Sequence, residues 1–321
     1  ILEMPAGGAF QALEQKQARA PDWLFGGFSY DLKNEVEQLS STHPDGIGFP
    51  DLIFFQPETV AGIRDGMLEI QTLDVAPEKV LEAIRSAPPP PKTSGKSLKM
   101  QPKTGKADYL QTVDAIRQHI IEGDLYELNY CQEFFAEHAQ IDPYTLWNTL
   151  NGLARAPMSA FFRWKVRFLL SASPERFLKN KGGKLISQPI KGTRPRDLQN
   201  DEALRRELAD SEKDRAENVM IVDLVRNDLA RSCRPGSVQV EELFGIHTFE
   251  TVHQMISTVS GQLRSEINAI EALKQAFPPG SMTGAPKVMA MELIERYEHS
   301  RRGLYAGALG YFDPSGDFDF N

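Results

Sequence analysis

Ser187-Gln188-Pro189-Ile190-Lys191-Gly192-Thr193-Arg194-Pro195 sets one lysine between a Pro-Ile pair and a Gly-Thr pair. Pro189 fixes its own backbone and holds the residue before it extended. Gly192 removes the side chain next to Lys191, so a ligand or another backbone can come close. Thr193 adds a hydroxyl and a backbone N–H at the same spot. A lysine on so rigid and bare a turn is either aimed at something or an ordinary exposed loop lysine. The flanking chain has to decide.

Just before the turn, residues 176–178 and 185–187 pair as a hairpin across Lys181-Gly182-Gly183-Lys184. Further back, residues 159–171 hold two strands around a turn, 143–155 a helix and 125–135 a strand. Residues 108–123 carry Leu110, Val113, Ile116, Ile120 and Ile121 at helical spacing, and Gly123 stops the helix. Pro88 to Lys96 is the one linker-like stretch, exposed and extended. Ahead of it, residues 23–31 read as a strand with a glycine kink, 51–55 and 67–71 as strands, and 77–85 as a helix that starts at Pro77.

After the turn, residues 201–208 are helical. Residues 214–230 form a second helix with an apolar face of Val219, Met220, Val222, Leu224, Val225 and Leu229. Strands at 237–240 and 252–263 follow, then a helix at 267–276. A proline- and glycine-rich turn at 277–287 enters a helix to Tyr297, and strands begin at Gly303 and Phe318. The class is α+β with mostly antiparallel strands. There is no short-period repeat and no dinucleotide fingerprint.

A chain of 321 residues can bury a large core, as one big domain or two ordinary ones. Its net charge of -8 argues against a nucleic-acid-binding surface, so no nucleic-acid partner is expected. No apolar run approaches the ~20 residues of a membrane helix, so no membrane partner is expected either. No signal peptide is visible at Ile1, which need not be the true start. Cys131 and Cys233 lie far apart without metal spacing and read as buried free thiols, which fits a reducing cytoplasm. The six histidines are scattered, with no zinc-ligand pair on a helix.

Three further stretches can carry chemistry. In the helix from Lys213 to Asp228, Asp214 and Glu217 are three apart and share a face. Two adjacent carboxylates suit a hard divalent cation such as magnesium, and equally a solvated acidic face. Gly280-Ser281-Met282-Thr283-Gly284-Ala285-Pro286-Lys287 is a glycine-bounded turn entering a helix. Free N–H groups there attract anions, and Ser281, Thr283 and Lys287 add donors and charge, although an ordinary helix cap reads the same way. Ser173-Pro174-Glu175-Arg176-Phe177 sets a carboxylate after a proline at a strand start, which is also a common place for a surface ion pair.

The order Pro-Ile-Lys-Gly-Thr, then Asp-Arg-Ala-Glu-Asn-Val-Met-Ile-Val-Asp-Leu-Val-Arg-Asn-Asp, then Gly-Ser-Met-Thr-Gly-Ala-Pro-Lys strongly resembles the chorismate-utilising enzymes. Members of that family make anthranilate, 4-amino-4-deoxychorismate, isochorismate or salicylate. The resemblance runs from about Trp23 to the last residue. Anthranilate-forming members carry alanine before the Gly-Thr pair, and members that form aminodeoxychorismate typically carry lysine. Lys191 therefore implies the aminating branch that leads to para-aminobenzoate and folate.

The resemblance implies two large antiparallel β-sheets packed as a sandwich, with helices outside and the pocket between the sheets. It implies one chorismate-binding domain over residues 1–321. Its front portion is 1–86, its linker 87–106 and its chemistry-bearing portion 107–321. It implies chorismate and ammonia as substrates, with a separate glutaminase subunit supplying the ammonia. Glu217 matches a magnesium-binding glutamate, and Asp214 lies in the metal's neighbourhood. Lys191 is the implied nucleophile at ring carbon 2. Glu175 is the implied proton donor to the departing hydroxyl at carbon 4, which requires a raised pKa. Gly192, Thr193, Ser281, Thr283, Gly284 and Tyr305 match positions lining the chorismate pocket.

Three departures stand out. Many members have a histidine where this chain has Gln254, and His253, one residue earlier on a strand, points to the opposite face. Members that add water use a lysine where this chain has Glu127, which speaks against water as the nucleophile. The family continues past the strand that holds Asn321 with an arginine, a glycine-rich turn and further metal-binding glutamates, so the C-terminal end of the family fold is expected to be missing from this chain. An anthranilate-forming subunit that carries lysine, or a non-catalytic chorismate-binding subunit, are the alternatives.

Overall fold

The computed structural model describes residues 1–88 and 98–321. In chain order it holds β1 (Leu2–Met4), α1 (Ala9–Arg19), β2 (Leu24–Phe28), α2 (Lys33–Val36), β3 (Leu52–Phe55), β4 (Thr59–Arg64), β5 (Met67–Thr72) and α3 (Pro77–Ser86). Then come β6 (Gln101–Pro102), α4 (Lys106–Glu122), β7 (Glu127–Leu128), β8 (Phe134–Phe135), α5 (Pro143–Ala154), β9 (Met158–Trp164) and β10 (Arg167–Ser173). The remainder is β11 (Arg176–Lys181), β12 (Lys184–Gln188), β13 (Ile190–Pro195), α6 (Asp201–Asp210), α7 (Glu212–Ser232), β14 (Gln239–Thr248), β15 (Val252–Gln262), α8 (Ala269–Ala276), β16 (Gly284–Ala285), α9 (Lys287–Tyr297), β17 (Ala308–Phe312) and β18 (Phe318–Phe320). Most of the proline-rich crossing, residues 89–96, lies outside the described residues.

The class is α+β with a large antiparallel sheet. Its ten strands run β1-β3-β2-β17-β18-β11-β12-β15-β13, with β14 also paired to β15. The other described strands form four two-stranded ribbons. The ribbon β9–β10 lies across one end of the sheet. Phe162 packs on Phe55 at 6.0 Å between ring centres, and Trp164 donates to Glu3 at 2.7 Å. These contacts hold the ribbon against the large sheet. Among the described residues no helix is long and apolar enough to cross a membrane.

The core is an aromatic block where the sheet meets α1, α7 and α8. Phe28, Phe54, Phe312, Phe318 and Phe320 alternate inward from neighbouring strands and are essentially fully buried. Their rings meet at 5.1 Å (Phe28–Phe54) and 5.2 Å (Phe312–Phe320), within the range of favourable edge contacts. Each buried ring is worth about 1.5–3 kcal/mol over its exposed state. Phe10 of α1 and Leu273 of α8 close the block.

Three expectations change. Gly26-Gly27 makes no kink, because β2 keeps unbroken register with β3 on one side and β17 on the other. The strand expected over residues 125–135 survives only as β7 and β8, because the chain between them bonds to other parts of the fold. In α7 the buried stripe is Asp214, Asn218, Ile221, Val222, Val225, Asp228, Leu229 and Ser232, while Val219 is 47 % exposed. Val222, Val225 and Leu229 of the expected apolar face lie in this stripe, which follows the helical i, i+4, i+7 spacing but also takes in polar positions that apolar residues alone do not show.

Candidate active site

The lysine turn is built as a bulge. β13 pairs with β15 at Ile190↔Ile256 and again at Thr193↔Gln254, so one strand spends three steps where the other spends two. Lys191 and Gly192 occupy the extra length. Gly192 has φ 88°, and a Cβ there would sit 2.9 Å from the Asp214 side chain and from Leu208. The first turn of α7 is therefore packed directly behind the lysine.

Lys191 Nζ donates to Glu127 Oε1, and the two side chains are 17 % and 20 % exposed. Glu127 belongs to β7, which pairs with β16 at Gly284↔Leu128 and Ala285↔Glu127. Gly284 has φ 145°, and a Cβ there would collide with the Glu127 carbonyl oxygen. Only glycine lets the two backbones meet this closely. The glycine-bounded turn thus grips the strand that brings Glu127 to Lys191.

Glu175 stands after Pro174, between β10 and β11. Its carboxyl faces the Ser281 hydroxyl, the Ile190 N–H and the Lys191 charge, which all favour the ionised form. Burial outweighs them and pushes the carboxyl up to about 7. Glu175 and Ser281 line a cavity of about 470 Å³ between β10 and the large sheet, together with Pro189, Gly280, Met282 and Tyr305. Tyr305 is 60 % exposed at this cavity. Lys191 is within electrostatic reach of Glu175 but is not itself part of the cavity lining.

The other expected residues lie around this centre. Thr283 is fully buried, and its hydroxyl is spent on Pro279 O and Gly280 O at 3.3 and 3.2 Å. Thr193 is exposed and sits opposite Gln254, whose Oε1 is buried without a partner among the described residues. His253 faces the other way, bonded to Thr248 at 2.9 Å and Asp201 at 3.0 Å. Lys287 pairs with Asp228 at 2.7 Å and donates to Ala276 O, both charges being buried. Burial pushes Lys287 down and Asp228 up from their ordinary values. Lys287 therefore ties α9 to α7 and offers nothing to an external anion.

For a divalent cation the two acidic residues of α7 differ. Asp214 is buried and held by Arg194 at 3.1 Å. Glu217 is half-exposed, with Lys213 at 3.7 Å beside it. Of this pair, Glu217 has the carboxylate free to turn to a metal, and one carboxylate beside a substrate's own oxygens suits magnesium. Among the described residues, three potential ligands come together at His119, Glu122 and Asp124, away from the lysine turn. There the nitrogens of His119 already bond Asp124 and Tyr297.

The contact that sequence reading missed is Glu127 on Lys191. The two are 64 residues apart, on strands that do not pair with each other, so no local spacing announces it. The unpartnered Gln254 was visible only as a departure from a familiar pattern.

A family model described as chorismate binding enzyme matches residues 5–321. An aminodeoxychorismate synthase of Streptomyces griseus is 41 % identical over 98 % of this chain and 46 % of that protein. Aminodeoxychorismate synthase component 1 of Klebsiella aerogenes is 37 % identical over 92 % of this chain and 66 % of that protein. The chain thus spans about half to two thirds of the length of these relatives. In three dimensions, anthranilate synthase component I from Streptococcus pneumoniae TIGR4 matches with a TM-score of 0.82 at 30 % identity, over 92 % of this chain and 70 % of that one.

Proposed function

The chain belongs to the chorismate-binding enzymes, and from that premise we propose that it is an aminodeoxychorismate synthase component 1. It would convert chorismate and ammonia to 4-amino-4-deoxychorismate, for para-aminobenzoate and folate synthesis in a reducing cytoplasm. A partner glutaminase would supply the ammonia, as the name component 1 of its relatives fits. The observation that carries the reading is Lys191 within reach of a Glu175 carboxyl that burial keeps half protonated near neutral pH.

Lys191 attacks ring carbon 2 as the neutral amine. The ring double bond shifts, and the carbon 4 hydroxyl leaves as water with the proton of Glu175. Ammonia then adds at carbon 4, and the lysine amine is expelled from carbon 2. Ser281 and Tyr305 stand where they can orient the substrate, and Gly192, Thr193, Thr283 and Gly284 shape the turns around it. Magnesium, on which chorismate-utilising enzymes generally depend, would supply positive charge to a substrate carboxylate, and Glu217 would hold it.

The likeness to an anthranilate synthase component I favours anthranilate as a second reading. A product assay with chorismate, magnesium and an ammonium salt separates the two, with aminodeoxychorismate lyase added to one half. Para-aminobenzoate should form only with the lyase, and Lys191→Ala should abolish it with the fold intact. Anthranilate in both halves, or full activity in Lys191→Ala, would sink the reading.

A further inference from the structure

We propose that Glu127 is the base that takes the proton from Lys191 before attack and the acid that returns it afterwards. This rests on the amination reading above.

An ammonium has no lone pair, so Lys191 must lose a proton before it can bond carbon 2. The charged groups around its turn are Glu127 from β7, Glu175 from the loop ahead of β11, and Asp214 of α7 behind Gly192. Asp214 is held by Arg194, which also holds Glu207. Glu175 has to stay protonated to release the hydroxyl. Glu127 is the carboxylate hydrogen-bonded to Nζ itself, so the proton has no distance to travel.

Glu127 Oε2 is buried and has no hydrogen-bond partner among the described residues. A buried bare oxygen is costly, and taking the proton from Nζ removes the charge that makes it so. The β7–β16 pairing fixes its position from the backbone, because Gly284 lets the strands close up.

The protons balance over the cycle. Lys191-NH3⁺ and Glu127-COO⁻ become amine and acid. The amine bonds carbon 2 as a secondary ammonium while the carbon 4–oxygen bond breaks, and water leaves with the Glu175 proton. Ammonia bonds carbon 4 as an ammonium, and the carbon 2–nitrogen bond breaks to free the lysine amine. Glu127 reprotonates Lys191, and the new carbon 4 ammonium reprotonates Glu175. The net change is chorismate plus ammonia to aminodeoxychorismate plus water.

The test is Glu127→Gln in the full chain, which keeps a hydrogen bond to Nζ and cannot take a proton. Aminodeoxychorismate formation should fall roughly 10²–10⁴-fold in kcat with little change in the chorismate KM. At a fixed concentration of unprotonated ammonia, the wild-type rate should be level between pH 5 and 6, where Glu175 stays protonated. The variant's rate should climb roughly tenfold per pH unit, following the neutral fraction of lysine. A variant with the wild-type pH profile, whatever its rate, would overturn the role of Glu127. If Glu127→Gln does not fold, Glu127→Asp decides. It should be slower with the wild-type pH dependence, and wild-type speed would overturn the proposal. Anthranilate from the unaltered protein would instead remove the amination reading, so the two failures are distinct.

Discussion

Replacing Glu175 by glutamine should make the protein more stable as the pH rises, and nearly inactive. The carboxyl titrates at about 7 in the folded chain against 4.5 in its ordinary state. Folding therefore binds more protons than the unfolded chain does between those two values. The sign follows from linkage: stability is full below 4.5 and is lost as pH rises through 7. Each tenfold difference in proton affinity between the folded and unfolded chain is worth about 1.4 kcal/mol, so the whole loss is about 3 kcal/mol. Roughly 2.5 kcal/mol of it falls between pH 5 and 8 by the same relation. Glutamine has no charge to bury and shows none of this slope. Urea unfolding of both proteins at pH 5, 6, 7 and 8 measures the difference, and every other titrating group cancels in it. The same variant should lose roughly 10²–10⁴ in amination rate, because the departing hydroxyl has no proton donor. A stability difference that stays constant from pH 5 to 8 would refute the reasoning, since the carboxyl would then not be shifted by burial.

Two structural predictions follow from the glycine turn and its helix. Lys287→Met leaves the buried Asp228 carboxylate without its ammonium and should cost about 3–5 kcal/mol in urea unfolding. A loss under about 1 kcal/mol would mean that water reaches the pair. Gly284→Ala forces a Cβ into the Glu127 carbonyl at a backbone angle alanine avoids. It should cost about 2 kcal/mol or more and lower the amination rate with it, and unchanged melting temperature and rate would show that β7 and β16 can separate freely.

Elements whose boundaries are set by neighbouring residues were legible in the sequence. Gly123 closes α4 in the left-handed conformation, and the Asp142 carboxylate caps α5 from the residue before Pro143. The hairpin over Lys181–Lys184 pairs β11 with β12 as its glycines indicate. Residues 125–135 misled because their partners are remote. Asn129 bonds Thr283 and Ser281, and the carbonyl of Asn129 accepts from Arg302, so the segment follows the glycine turn and cannot extend as a strand.

The site divides along the same line. The rigidity of the lysine turn was local, since Pro189 and Gly192 define it, and the bulge against β15 is its realisation. The employment of each charge was not local. Lys287 looked like an anion donor at a helix start, yet its ammonium is consumed by Asp228, 59 residues earlier. Lys191 looked unaccompanied, yet Glu127 waits on it from 64 residues away. Both lysines have a carboxylate partner, and what separates them is what else that partner touches. Lys287 has Asp228 and a carbonyl oxygen around it in a closed junction between two helices. Lys191 has Glu127 with one oxygen left bare, and Glu175 beside it at the edge of a cavity. The closed pair holds the fold together. The unfinished one leaves a place for a substrate to complete.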